Sequence, residues 1–201
     1  MTHSGRRQFL TTLAATAALA GLAPRGAFAL TAESGAQLVG RVVADINRII
    51  ASGKSESQMI KDFEKIFVSY SDYATIARSA LGADARRATA AQMQSYTRTF
   101  TAYMARKYGK RFRQFIGGRI DIQTTRTLKG FVEVKTNAVL KGKDPFEVIF
   151  LVSDKSGRDL FFDMLIEGVS LLKSERTEIG AMIDRRGGNL DGMIADLAKA
   201  G

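Results

Sequence analysis

The chain contains no cysteine and only one histidine, His3, among its 201 residues. Without cysteine it has no disulfide, no thiol nucleophile and no thiolate metal site. His3 lies in an N-terminal segment that we expect to be removed, so the mature protein would have no imidazole for a Ser-His triad, a histidine general base or a typical zinc site. The commonest hydrolase mechanisms are thereby excluded, and carboxylates are left as the candidates for acid–base chemistry.

The sequence also lacks a long apolar run, since no segment approaches the roughly 20 apolar residues needed to cross a bilayer. The N-terminus instead has Arg6-Arg7, a short, weakly apolar stretch over Leu13–Leu22, and the small-x-small sequence Ala27-Phe28-Ala29. This order is typical of a cleaved export signal, and the paired arginines resemble a twin-arginine signal, with general secretion as the alternative. We therefore predict that residues 1–29 are removed and that residues 30–201 form one domain in the periplasm.

The chain is basic, and removing the three leader arginines lowers its formal net charge from +10 to +7. An exported protein is not expected to bind nucleic acid. Anionic lipids, membrane surfaces and acidic protein faces are the remaining acidic partners. Solubility alone is the other explanation of the charge.

Helical periodicity dominates both ends of the mature chain. Ser55–Gln58 and Thr89–Gln92 are capping-box patterns, and Asp72 is placed to cap a short helix. The longest predicted helix follows Thr89 and carries an apolar stripe rich in aromatic residues and methionine, ending at Gly117-Gly118. Such a stripe indicates core packing first, although pliable methionines and large rings also suit the wall of a cavity.

Between these helical regions the period changes to two. Four runs alternate or are apolar enough to be strands: Ile120–Gln123, Phe131–Leu140, Phe146–Val152 and Leu160–Ile166. The short connections between them require antiparallel neighbours. We therefore predict an α+β domain in which a four-stranded antiparallel sheet packs against several helices.

Several segments, taken in order, resemble the MlaC family of periplasmic phospholipid-binding proteins, also known as toluene-tolerance auxiliary proteins. They are Asp72–Gly82, Thr89–Gln92, Ile166–Leu171 and Gly188–Ile194, and the likeness extends from about Leu38 to Leu197. The chain departs from the family pattern at Ala90, where proline is frequent, at Asp159, where tryptophan is frequent, and at Ser174-Glu175, where Asn-Tyr is common.

The resemblance implies a curled sheet packed against helices around a deep apolar lipid cavity, with phospholipid as cargo and no catalytic residue, metal or cofactor. It also implies a monomeric carrier that shuttles lipid between an outer-membrane lipoprotein complex and an inner-membrane ABC transporter complex with a lipid-binding ring. The role that the resemblance implies for this traffic is to maintain the lipid asymmetry of the outer membrane. The chain has no Gly-rich nucleotide loop, so any ATP would be used by a partner.

Two groups of residues are candidates for the site, although each lining candidate considered singly fits ordinary core packing as well. The candidates for the lipid lining are Tyr73, Ile76, Phe100, Met104, Tyr108, Val132, Val134, Val148, Phe150, Phe162, Met164 and Val169. The candidates for a basic rim that meets head groups or an acidic partner are Arg106, Lys107, Lys110, Arg111, Arg113 and Arg119. A solvated helix end would explain the basic residues equally well.

Two other functions remain open from the residues alone. Asp163 and Glu167 lie four apart on a predicted strand and would share a face. They are the basis for the alternative of a small curled-sheet enzyme that uses Asp/Glu acid–base chemistry on an apolar substrate. A structural adaptor between membrane complexes is the third reading, and no feature of the sequence favours it.

Overall fold

The computed structural model of the protein describes residues 30–110 and 118–201. The expected export signal lies outside these ranges, as does the expected end of the longest helix at Gly117. Within them the chain forms helices α1 (Ala32–Ile50), α2 (Glu56–Tyr70), α3 (Tyr73–Leu81), α4 (Ala90–Gly109), α5 (Leu171–Arg185) and α6 (Leu190–Leu197). A 3-10 helix (Gly82–Arg86) follows α3. The strands are β1 (Arg119–Leu128), β2 (Phe131–Val139), β3 (Phe146–Ser153), β4 (Leu160–Ile166) and β5 (Val169–Ser170).

The helices begin where polar side chains satisfy the first free N–H groups. The Gln92 N–H donates to Thr89 Oγ1 at 3.1 Å, and the Thr89 N–H donates to Gln92 Oε1 at 3.0 Å, which completes the predicted capping box of α4. Asp72 caps α3 by accepting the Thr75 N–H at 3.2 Å. These starts were visible in the sequence because a cap involves residues only three positions apart.

The sheet is an antiparallel meander in the order β1-β2-β3-β4-β5, so the prediction of four strands was wrong by one. The additional strand pairs Ser170 with Leu165 and Val169 with Ile166. Glu167 and Gly168 connect β4 to β5 with φ angles of 49° and 79°, the positive values that a tight two-residue hairpin turn requires. A two-residue strand is too short to show an alternating pattern, which explains why periodicity missed it.

A bulge in β4 decides which phenylalanine packs against Phe67 of α2 and Phe150 of β3. Leu151 pairs with Asp163, whereas Val152 pairs with Phe161, so Phe162 is the extra residue on β4. Phe161 is consequently buried at 4% exposure, although strict alternation from Met164 would have placed Phe162 on the inner face. The bulge thus changes the lining of the space beneath the sheet.

The hydrophobic core of the described residues has two parts. The first cluster joins α1 and α2 to the sheet, through residues such as Val39, Phe63 and Phe150. The second is formed by the helices after α2 and includes Phe100 of α4 and Ile179 of α5. Phe67, in the last turn of α2, packs against both clusters.

Candidate functional site

An apolar cavity of about 150 Å³ lies between the helices and the sheet. Its walls come from α1, α2, α4, β3, β4 and the first residue of α5. The lining residues are Val42, Ile46, Phe63, Ile66, Phe67, Met104, Ala105, Tyr108, Gly109, Phe150, Phe161, Met164, Ile166 and Leu171.

The sheet wall of the cavity follows directly from strand register. Phe150 on β3 is paired with Met164 on β4, so both side chains lie next to each other on one face. The ring of Phe161 stands edge-on to Phe150, with centroids 5.8 Å apart and an angle of 79° between the rings. Aromatic rings and a flexible thioether therefore form this wall.

The chemistry of the lining selects hydrocarbon. Apart from the Tyr108 hydroxyl, the described side chains that line the cavity carry no oxygen or nitrogen. Apolar spaces of this size accept small hydrocarbons such as benzene. In this conformation the cavity therefore has room for a short stretch of an acyl chain.

A second, smaller pocket of about 20 Å³ adjoins the cavity and shares five lining residues with it. The shared residues are Phe67, Met104, Phe161, Met164 and Leu171. Asp163 and Glu175 are among the residues that line the smaller pocket, but its surface is almost wholly apolar. The two spaces together form one apolar site.

Glu175 is the centre of a buried polar network beside the smaller pocket. Its side chain is fully buried, and its Oε1 accepts hydrogen bonds from Lys107 Nζ at 2.7 Å and from the Tyr108 hydroxyl at 2.5 Å. Lys107 also donates to the Tyr103 hydroxyl at 2.8 Å and to Glu178 at 3.0 Å. The sequence analysis noted Glu175 as a departure from the family pattern but not as a site residue, although a charged residue in helical spacing with Leu172, Ile179 and Met182 was visible there.

The network shifts the pKa values of its members in ways that follow from burial and pairing. Burial would lower the pKa of Lys107, but its hydrogen bonds with Glu175, Tyr103 and Glu178 outweigh this effect, and the pKa is raised. Burial, reinforced by the charge of Glu175, raises the pKa of Tyr103 to about 12 and also raises the pKa of Tyr108. At neutral pH, Lys107 is therefore charged and both tyrosines are neutral hydrogen-bonding groups.

The predicted carboxylate pair is not formed. β4 ends at Ile166, and Glu167 lies exposed in the following turn rather than on the strand face of Asp163. Asp163 instead accepts the N–H groups of Met164 (2.8 Å) and Leu172 (3.0 Å) and the Ser170 hydroxyl (2.6 Å). Its carboxylate therefore stabilises the β4–β5 turn and the start of α5 through these hydrogen bonds. In residues 30–110 and 118–201, acidic side chains also do not gather into a group of three able to hold a metal ion.

The predicted lining residues fall into three classes. Met104, Tyr108, Phe150 and Met164 line the cavity, and Ile76 and Phe162 line the smaller pocket together with Met104 and Met164. The residues that line neither space are Phe100, Val132, Val134 and Val148 in the buried core, Tyr73 at partial burial, and Val169, which is 60% exposed. Contact between a lipid and any of the twelve predicted lining residues stays a prediction.

The described residues of the predicted basic rim have separate roles within the fold. Arg106 donates to the carbonyl oxygens of Leu197 (3.1 Å) and Ala200 (2.8 and 2.9 Å), and Lys110 donates to that of Gly201 at 2.7 Å. Arg119 pairs with Asp121 at 2.8 Å, and Lys107 belongs to the Glu175 network. Arg111 and Arg113 lie outside the described residues, and a role of the rim at head groups stays a prediction.

The chain matches a known protein family and is similar in fold to a solved structure. Residues 37–199 match the profile of the protein family described as MlaC protein. A search of curated protein sequences finds no match to the chain. Among solved structures, the chain is similar to a phospholipid-binding protein from Ralstonia solanacearum, determined in complex with a phospholipid, with 19% sequence identity and a TM-score of 0.71. The similarity covers 81% of this chain and 94% of the other and shows a shared fold.

Proposed function

Because the chain belongs to the MlaC family, we propose that it is a phospholipid carrier that holds acyl chains in the apolar cavity between its sheet and its helices. The observation that carries this proposal is the lining of the cavity, in which the Tyr108 hydroxyl is the one polar side-chain group among the described residues. The solved protein that shares the fold binds a phospholipid, which supports the same class of cargo.

The energetics of lipid transfer explain why such a cavity is needed. A two-chain phospholipid has roughly 30 methylenes, and their exposure to water costs about 0.8 kcal/mol each, or on the order of 20 kcal/mol in total. Unassisted passage through an aqueous compartment is therefore negligible. A carrier removes this barrier by enclosing the chains until another apolar site receives them.

The dimensions of the cavity imply that it widens when loaded. A volume of about 150 Å³ suits a small hydrocarbon rather than two full acyl chains. Met104 and Met164, on opposite walls, have several rotatable bonds and adapt easily to a changing neighbour. We expect the bound chains to displace these side chains and to separate the helices from the sheet.

The wider role that we propose is periplasmic. Helices in the described ranges are too short or too polar to cross a bilayer. An export signal in residues 1–29 would deliver the protein to the periplasm, where it would pass phospholipid between an outer-membrane lipoprotein complex and an inner-membrane ABC transporter complex. Maintenance of outer-membrane lipid asymmetry would follow from this traffic.

Lipid analysis of the purified protein tests the proposal. Organic extraction followed by mass spectrometry should yield phospholipid, and the emptied protein should take up phospholipid from vesicles. Ala105→Phe, which fills the cavity, should markedly reduce the bound lipid, whereas Ala91→Phe on the exposed face of the same helix should leave it unchanged. Thermal unfolding of both variants controls for loss of the fold. A preparation that contains no lipid and acquires none from vesicles would contradict the proposal.

A further inference from the structure

Tyr108 lines the cavity and also belongs to the Glu175 network. Its hydroxyl donates a hydrogen bond to Glu175 Oε1 at 2.5 Å, and the Glu175 side chain is fully buried. A hydrogen bond to a charged, buried acceptor is stronger than one between neutral groups, and breaking it takes a donor away from the carboxylate. The hydroxyl end of the Tyr108 side chain is therefore held in place.

The backbone end of Tyr108 is held as well. Gly109 follows it at the end of α4, where a Cβ atom added to the glycine would lie 3.0 Å from Ile60 Cγ1 and 3.4 Å from Ile60 Cα on α2. Two helices packed this closely leave the end of α4 little freedom to shift. The Lys107 ammonium, 5.7 Å from the centre of the Tyr108 ring, adds a cation–π contact. The ring is thus fixed between its backbone and its hydroxyl.

Methionines on the cavity wall respond differently to a larger cargo. Met104 and Met164 change conformation easily, because a methionine side chain is unbranched and has several rotatable bonds. A longer chain can therefore displace these side chains at little cost. It can displace the Tyr108 ring only by breaking the hydrogen bond to Glu175.

From this geometry we propose that Tyr108 limits the length of the acyl chain that the cavity accepts, and that Glu175 acts through it as a positioning residue. The chain extends into space that the methionines vacate and stops at the fixed ring. The inference rests on the proposed carrier function, since it concerns the same cavity.

Competition binding with saturated fatty acids of increasing length tests the inference. A fluorescent fatty acid is displaced from the full mature protein by a series that grows in steps of two carbons. Each buried methylene should raise the affinity about fourfold, and the rise should stop at the length at which the chain reaches Tyr108. Tyr108→Phe keeps the ring but removes its anchor, so the rise should continue for at least one further step. The first fatty acid beyond the wild-type limit should then bind about tenfold more tightly to this variant.

Tyr103→Phe is the matched control. The Tyr103 hydroxyl accepts a hydrogen bond from Lys107 at 2.8 Å, but its ring lines neither of the two spaces. This variant loses a hydroxyl of the same network and should keep the wild-type limit. An unchanged limit in Tyr108→Phe, or an equal extension in Tyr103→Phe, would overturn the inference and leave the carrier function intact. Failure of every fatty acid to bind the wild type would instead count against the carrier function and the inference that rests on it.

Crystal structures decide the question if Tyr108→Phe does not fold. In complexes of the wild type with a short and with a long fatty acid, the hydrogen bond between Tyr108 and Glu175 should persist while Met104 and Met164 change conformation. A broken hydrogen bond in the complex with the longer chain would refute the inference.

Discussion

Gly35 in α1 approaches β2 so closely that the structure leaves no room for a side chain. A Cβ atom added there would lie 2.7 Å from Val132 Cγ1 and 3.1 Å from Val132 Cβ. Val132 is fully buried, so it has little freedom to move away. Gly40, five residues further along the same helix, is a matched control because its Cβ would meet Ile122 Cδ1 at an ordinary 3.8 Å.

The expected magnitudes follow from two opposing terms. Replacing glycine by alanine inside a helix stabilises it by about 0.5–1 kcal/mol, and this gain applies at both positions. Forcing an extra methyl group into a packed core costs about 1–3 kcal/mol, and this cost applies only at Gly35. Gly40→Ala should therefore raise the free energy of unfolding, and Gly35→Ala should be less stable than Gly40→Ala by about 1–3 kcal/mol.

Urea denaturation followed by circular dichroism measures both variants against the wild type. Equal slopes with denaturant would show that the midpoint shifts report stability. If Gly35→Ala proved as stable as Gly40→Ala, α1 would have to slide on β2 at no cost, and our account of this packing would be refuted. The packing matters for function because Val42 and Ile46, on the same helix, line the cavity.

Two further predictions concern groups outside the cavity. The Tyr70 hydroxyl donates to Asp45 Oδ2 at 2.7 Å and lowers the pKa of the Asp45 carboxyl in the folded protein. The stabilisation that this hydrogen bond provides is therefore fully present above the unfolded pKa of about 4. It is lost as the pH falls through the lower pKa of the folded state. Tyr70→Phe should therefore cost about 1 kcal/mol at neutral pH and almost nothing in strong acid, as urea denaturation at both pH values would show; a cost independent of pH would contradict it. Asp163→Asn should lower stability by about 1–3 kcal/mol in thermal unfolding, because an amide cannot accept all three hydrogen bonds. Glu167→Gln, in the exposed turn, is its control, and equal stability of the two variants would show that Asp163 does not fasten the turn.

Features governed by neighbours in the sequence were predictable. The cap at Thr89 depends on residues three positions apart, and the longer strands have an alternating period that a short window reveals. The order of helices and strands follows from these local signals. The α+β class could therefore be predicted from the residues alone.

Features governed by distant neighbours were not predictable in this way. Because of the bulge at Phe162, Phe161 takes the place on the inner face that alternation would give to Phe162. The bulge arises from the pairing of β4 with β3 rather than from the local sequence pattern. The stripes that contain Val42 and Phe63 were visible, but periodicity does not reveal which stripe borders an empty space. The burial and pairing of Glu175 become apparent only in the fold, where Lys107, 68 residues away in the sequence, donates a hydrogen bond to it.

The position of the cavity suits the carrier function that we propose, because it lets the fold adapt to cargo of different length. The cavity lies where the two hydrophobic clusters meet, with Phe67 packed against both, so widening it separates the clusters without breaking the packing inside either one. Met104 and Met164, which line the cavity, change conformation at little cost in energy, because methionine side chains adopt many conformations of similar energy. Glu175, in contrast, is fully buried and its charge is balanced by the partly exposed Lys107, so separating the two would leave a buried charge unbalanced. We therefore expect the side chains of Met104 and Met164 to shift with the length of the cargo, while the pair of Glu175 and Lys107 stays fixed.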